Sequence, residues 1–287
     1  MGDTVIDEAF VRALVSEGHP DLAGLALREV DGGWDNRMWR LGDDLAVRLP
    51  RTPRAPALLE KEHRWLPALA PLLPLPVPVP LRLGEPTSRF PETWTVTTWV
   101  PGEPADRAAV ARPESADALA DFLLALHREA PADAPANPDR GVPLRRFAAG
   151  LEDRLDSTDA ALRAIWDDAL AAPDWDRQPV WLHGDLHPAN IVVTDGALAG
   201  VIDFGELCAG DPATDLSAAW LLLPDGGAAR CLARYDADED IVRRARGWAL
   251  LRALGLVDIG RAGDRGEPGG KPTWRPAGEA ALARLAS

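Results

Sequence analysis

Between residues 72 and 84 the chain reads LLPLPVPVPLRLG, with proline at every second position from Pro74 to Pro80. Proline fixes φ and has no N–H to donate, so the run excludes a helix and reads as an extended, polyproline-like connector leading into a strand. Before it, Leu25 to Asp31, Arg37 to Leu41 and Leu45 to Leu49 alternate like strands of an antiparallel sheet, joined by turns at Gly32-Gly33 and Gly42-Asp43. Residues 7–17 are amphipathic and predicted helical. A second helix over 55–66 puts Leu58, Leu59, Trp65 and Leu66 on one face, and Pro67 is predicted to end or kink it. After the connector, TWTVTTWV (93–100) is β-branched and aromatic, a buried strand, and PGEPAD is a turn.

Beyond Pro101 the spacing becomes helical. Ser115 to Arg128 starts on a serine suited to an N-cap and repeats Leu119, Phe122, Leu123 and Leu126 on one face. Residues 144–171, 216–223 and 239–256 follow the same pattern, and the Gly/Pro-rich stretch 262–278 reads as a loop. The chain is therefore expected to be α+β, with a small β-rich lobe over 1–100 and a larger, mainly α-helical lobe over 101–287.

Composition narrows the class. A net charge of -14 argues against nucleic acid and anionic membrane surfaces as partners, since both are polyanions. The N-terminus has no basic and apolar leader pattern, and no stretch reaches the roughly 18 apolar residues of a bilayer span, so a cytoplasmic protein is expected. Cys208 and Cys231 are the only cysteines, too few for a disulfide framework or a thiolate zinc site. Residues 101–287 carry 20 Lys+Arg against 31 Asp+Glu, which favours a cationic small-molecule partner unless the surplus is simply a solvated face. Nothing in the sequence sets an oligomeric state.

The chemistry concentrates in WLHGDLHPANIVV, residues 181–193. Apolar runs flank a polar loop marked by Gly184 and Pro188, the kind of placement where function gathers. His183 and His187 have the i, i+4 spacing of two metal ligands on a helix, but Pro188 and Gly184 break that helix, and His19, His63 and His127 lie in segments without ligand-like neighbours. The second reading begins with Asp185 and Asn190, followed across a short hairpin by Ile202-Asp203-Phe204-Gly205. In phosphoryl transfer, one aspartate orients the attacking hydroxyl while an asparagine and a second aspartate hold magnesium on the nucleotide phosphates. His-Gly-Asp-x-x-x-x-Asn and then Asp-Phe-Gly has the order and gaps of the protein-kinase catalytic and metal loops, with glycine where those enzymes carry arginine.

HGDLHPAN together with IDFGELCAGDPATDLSAAW resembles the aminoglycoside phosphotransferase family, kinase-like enzymes that phosphorylate small-molecule hydroxyls. The resemblance implies a protein-kinase-like bilobal fold with ATP or GTP between the lobes, Asp185 as catalytic base, and Asn190 and Asp203 as ligands of Mg2+. It gives His183 a bracing role, and assigns Asp211 and Asp215 to support of the catalytic loop. By residue type alone, Asp211-Pro212-Ala213-Thr214-Asp215 is a capped helix start with a favourable negative charge in its first turn.

In the first lobe, Ala46-Val47-Arg48 is similar to the kinase strand Ala-x-Lys, where Ala46 touches the base and residue 48 reaches the phosphates. Arginine replaces the usual lysine; it keeps the charge but changes the geometry, a departure shared with some macrolide-phosphorylating members. Its acidic partner is Glu62, with Glu60 the alternative, or both belong to an exposed charge face with Lys61 and Arg64. Gly32-Gly33-Trp34-Asp35-Asn36 occupies the place of the phosphate-covering loop without being GxGxxG, and Asn36 joins the cofactor-binding set. Thr98, Trp99 and Val100 fall at the hinge that hydrogen-bonds the purine through its backbone. The expected function is a small-molecule kinase, foremost an aminoglycoside-type O-phosphotransferase. A macrolide or metabolic-alcohol kinase, or a silent nucleotide-binding regulator, are the alternatives.

Overall fold

The structure is a computed structural model that describes residues 6–30, 33–155 and 160–287, with Glu152 and Asp153 described by their backbone alone. Asp31 and Gly32 of the expected first turn, and 156–159 of the expected helical stretch, lie outside the described residues. The chain divides into two compact units, Met1–Pro71 with Val77–Val100, and Leu72–Pro76 with Pro101–Ser287.

The first unit is an antiparallel sheet with two helices. Strands β1 (Leu27–Val30), β2 (Asn36–Leu41), β3 (Leu45–Pro50), β4 (Pro80–Gly84) and β5 (Trp94–Thr98) take the order β1-β2-β3-β5-β4. Helix α1 (Glu8–Gly18) starts at Asp7, whose side chain accepts from the Phe10 N–H, as an N-cap does. Its Val11, Leu14 and Val15 pack with Trp39, Leu41, Val47, Leu49, Trp94 and Val96 of the sheet. Because side chains alternate across a strand, Val47 and Leu49 enter this core while Ala46 and Arg48 point to the opposite face.

Helix α2 (Ala55–Leu69) does not stop at Pro67; the proline lies inside it. Pro67 sits in the last turn, where few further intrahelical bonds remain to be lost, and buried Leu66 and Leu69 hold that turn in place. The proline run serves both units: 72–76 belongs to the second, where the Val201 N–H donates to the Pro76 carbonyl at 3.1 Å, and Val77 onward to the first.

Gly84 pairs with Trp94 across β4 and β5, and a Cβ on it would fall 1.9 Å from Trp94 Cε2. The indole is 1% exposed and has little room to retreat. Gly84→Ala is therefore expected to cost about 1–3 kcal/mol through overpacking. The check is a urea unfolding curve whose midpoint falls while its slope is unchanged.

The second unit contains α3 (Ser115–Leu126), α4 (Ala148–Leu155), α5 (Ala160–Ala171), α6 (Ala213–Leu216), α7 (Ala218–Leu222), α8 (Gly227–Tyr235), α9 (Glu239–Asp264) and α10 (Trp274–Ala286). It also has two small sheets: β6 (Glu103–Pro104), β8 (Ile191–Thr194) and β9 (Ala197–Val201), and the pair β7 (Val180–Leu182) with β10 (Cys208–Gly210). Ser115 is not the N-cap of α3: Glu114 holds that position, and the buried Ser115 hydroxyl accepts from the Leu198 N–H of β9. The stretch 262–278 is a loop only between α9 and α10. Its Gly278 is a helix-packing position, since a Cβ there would lie 2.7 Å from the Ala253 carbonyl, and Gly260 of α9 is another, a Cβ there falling 2.3 Å from Arg275. Among the described residues, no helix is long and apolar enough to cross a membrane.

Candidate active site

Strands β7 and β8 fix the two ends of the polar loop 183–190, and its shape depends on Gly184. That residue has φ +82, and a Cβ there would meet the Glu206 carbonyl at 2.6 Å, so only glycine lets the loop turn against 204–206. Buried Asp215 of α6 clamps the turn: Oδ2 accepts from the His183 N–H at 2.6 Å and Oδ1 from the Gly184 N–H at 2.9 Å. His127 Nε2 lies 3.5 Å from the same carboxylate, with its Nδ1 2.8 Å from the Tyr235 hydroxyl. Burial disfavours ionisation of Asp215, but the His127 contact and the backbone donors outweigh it and hold the carboxyl below its ordinary range.

His183 is fully buried and its neighbours set its role. Nε2 donates to the Ile202 carbonyl at 3.0 Å, Nδ1 accepts from the Asp185 N–H at 3.2 Å, and the ring meets Phe204 edge-on at 4.6 Å. Burial pushes its pKa down, so the neutral imidazole braces the 183–185 turn against 202–204. Asp211 is one residue too early to be the N-cap of α6, a position taken by Pro212. Its Oδ1 still accepts from the Ala213 N–H, and the carboxylate forms a buried pair with Arg244 at 2.7 Å.

Asp185 stands in the loop with its side chain 23% exposed. Its two oxygens differ. Oδ1 receives Arg252 Nη1 and, at 3.3 Å, Arg140 Nη2, while among the described residues Oδ2 has only long contacts, 3.4 Å to Asn190 Nδ2 and 3.5 Å to His187 Nε2. Burial raises the carboxyl's pKa, but the Arg252 guanidinium, His187 and Arg140 overcome this and hold it well below the ordinary carboxylate range. The group is an ionised acceptor at neutral pH, suited to orienting a hydroxyl.

Asn190 Nδ2 also donates to the Asp185 carbonyl at 2.9 Å, which leaves the amide oxygen of this buried side chain as its acceptor end. The Asn190 carbonyl accepts from the Ile202 N–H at 2.9 Å, placing Asp203 beside it in the fold. Asp203 has φ 64, a left-handed conformation costly for a residue with a Cβ and typical of functional positions. An amide oxygen and an exposed carboxylate are hard donors that fit Mg2+, an ion that fills its remaining positions with water and phosphate oxygens. Among the described residues, no group of three or more His, Cys, Asp or Glu side chains has the makings of a metal site.

In the first unit Arg48 Nη1 meets Glu62 Oε2 at 2.5 Å, and both are buried, with side chains 7% and 1% exposed. Glu60 instead accepts from the Thr93 hydroxyl at 3.1 Å. Ala46 lies two residues before Arg48 on the same face of β3, fully buried. Asn36 opens β2, buried, its Oδ1 without a hydrogen-bond partner among the described residues. Next to it, Asp35 accepts from the Thr52 hydroxyl at 2.6 Å and from Arg54 Nη2 at 2.6 Å. At the expected hinge, the Thr98 N–H donates to Val79 and the Trp99 N–H to Asp44, at 2.9 and 2.7 Å, so those amides are used inside the unit. The Trp99 ring lies under the Arg40 guanidinium at 4.5 Å, and Val100 is buried.

Sequence reasoning missed Arg140 and Arg252, which reach Asp185 from 45 and 67 residues away, and His127, which meets the clamping Asp215 from 88 residues away; none of them belongs to a motif.

The sequence profile of the APH phosphotransferase enzyme family fits residues 26–254. Aminoglycoside 3'-phosphotransferases of Escherichia coli and Salmonella typhimurium are each 30% identical over 141 residues, covering 45% of this chain and 52% of the relative, so the chain matches about half the length of these curated relatives. The GDP complex of aminoglycoside 2'-phosphotransferase-IIIa superposes with a TM-score of 0.70 at 19% identity, covering 98% of both chains. Macrolide 2'-phosphotransferase of Brachybacterium faecium gives 0.62 at 26% identity, over 95% of this chain and 96% of that one. The α+β, protein-kinase-like fold of these enzymes is the fold found here, and the chain belongs to the APH phosphotransferase enzyme family.

Proposed function

We propose that this protein transfers the γ-phosphate of ATP or GTP to a hydroxyl of a small molecule, with residues 1–100 binding the nucleotide and 101–287 carrying the catalytic loop and the acceptor site. The observation that carries this reading is the ionised, arginine-held Asp185 in one loop with Asn190, whose backbone bonds to the residue before Asp203. Asp185 accepts a hydrogen bond from the acceptor hydroxyl and aims its lone pair in line with the γ-phosphorus. Asn190 and Asp203 hold Mg2+, which when bound neutralises charge on the phosphate oxygens. In the first unit, Arg48, fixed by Glu62, contacts the donor phosphates, and Ala46, Asn36, Trp99 and Val100 belong to the nucleotide-binding set. Since the Thr98 and Trp99 amides are occupied, Val100 is the hinge residue assigned to the purine.

An aminoglycoside-type antibiotic is the acceptor we assign first, on the names of the curated relatives. A macrolide is the second reading, favoured by the 26% identical macrolide enzyme and by Arg48. The test is transfer of one phosphate, read by mass, from ATP and from GTP to aminoglycosides, macrolides and small amino alcohols. We expect transfer to one class, with the magnesium requirement of Asp203→Asn raised by an order of magnitude or more. Transfer that persists in the presence of a chelator would overturn the metal assignment, and transfer to the amino alcohols alone would overturn both antibiotic readings.

A further inference from the structure

Arg252 lies in the middle of α9, far from either motif, yet its guanidinium spans the catalytic turn. Nη1 donates to Asp185 Oδ1 and Nη2 donates to the Gly184 carbonyl at 2.5 Å, so one planar group holds both a carboxylate and the backbone of the residue before it. The arginine is itself confined: its side chain is 13% exposed, and its guanidinium carbon lies 5.9 Å from the ring of Trp248, one helical turn back and 1% exposed. With Arg140 also on Oδ1 at 3.3 Å, both cations occupy the same oxygen, and among the described residues Oδ2 is left with its two long contacts.

We infer that Arg252 is a positioning residue for phosphoryl transfer, anchoring Asp185 through Oδ1 so that Oδ2 is the oxygen presented to the acceptor hydroxyl. This rests on the reading of Asp185 as the group that orients that hydroxyl. A carboxylate held at one point rotates about χ1 and χ2. Held at one oxygen by a rigid fork that also grips the adjacent carbonyl, it keeps a single orientation, and a displacement of about 1 Å in such a group costs on the order of 10²-fold in rate. Lysine, with a single ammonium, grips one of the two acceptors but not both in the plane the fork imposes.

The test compares Arg252→Ala, Arg252→Lys and Asp185→Ala with the wild type. For Arg252→Ala we expect kcat to fall by about 10²-fold with the KM for nucleotide unchanged, partial recovery of kcat with added methylguanidinium, and Arg252→Lys closer to alanine than to wild type. A generally loosened fold would raise KM as well and would not respond to the small cation. Wild-type kcat in Arg252→Ala, with Asp185→Ala inactive, would overturn the inference and leave the proposed function standing. Activity retained in Asp185→Ala would overturn the proposed function itself. A crystal structure of Arg252→Ala needs no acceptor: more than one Asp185 rotamer supports the inference, and an unmoved carboxylate overturns it.

Discussion

Replacing Asp185 with alanine is expected to reduce kcat by about 10²–10⁴-fold, the usual worth of a group that positions or accepts a proton in the transition state. Nucleotide affinity should not change, because in the proposed mechanism Asp185 contacts the acceptor and not the phosphates. Asparagine is expected to be no better than alanine. Its amide keeps the volume but is neutral, and either orientation of the amide gives Arg252 and Arg140 a weaker partner than the carboxylate they now share. Single-turnover transfer measured beside Mg·ATP binding separates the two steps. A variant that loses binding and turnover together would place Asp185 on the nucleotide and refute the assigned role.

Asp215→Ala is expected to be the most destabilising single change around the 183–190 loop, by about 3–5 kcal/mol. The carboxylate is buried and accepts from the backbone of His183 and Gly184, with His127 beside it, so its removal strands buried donors. Asp215→Asn, which keeps one acceptor oxygen, should lose less. The pH dependence has a definite sign. The folded-state pKa of Asp215 is depressed, so its stabilisation is complete above the carboxylate value of the unfolded chain, about 4. It is lost as pH falls through the lower folded value. Urea denaturation should therefore show a constant gap between wild type and Asp215→Asn from neutral pH to about pH 5, narrowing below that. A gap that widens on acidification would mean the carboxyl is protonated in the native protein.

Local spacing made the loop legible in the sequence. Asp185, Asn190 and Asp203 are close in the chain, and the strands around them are short apolar runs, so order and gaps are enough to propose the set, and the Asn190 to Ile202 backbone bond brings its segments side by side. Charge partners were legible only to the level of alternatives. Glu60 and Glu62 are equivalent by residue type, and the helical rotation of α2 is what turns Glu62 into the buried face against Arg48 and Glu60 toward Thr93. Arg140 and Arg252 were not legible at all, since their contacts with Asp185 arise from tertiary packing across 45 and 67 residues. Pro67 and Gly278 misled in the same way: a residue type that punctuates chains in general is tolerated, or required, where a helix end or a close helix crossing provides the room. The acidic surplus was legible as a number but not as a location. Asp238 caps α9 and pairs with Arg177, and Asp240 pairs with Arg243, so part of the acidic run 236–240 is already neutralised, about 20 Å along α9 from Arg252.

The ring of Trp274, first residue of α10, meets the His187 ring edge-on at 4.6 Å, and α10 packs along α9. His187 lies against Asp185 Oδ2 and accepts from the Ala189 N–H, so one wall of the catalytic turn comes from a segment more than eighty residues later in the chain. During synthesis the loop 183–190 is made long before that wall exists. A nascent chain stalled short of residue 274 carries every motif residue and still lacks the support that shapes the turn, which ties the onset of competence to synthesis of the α10 segment rather than to translation of the motifs.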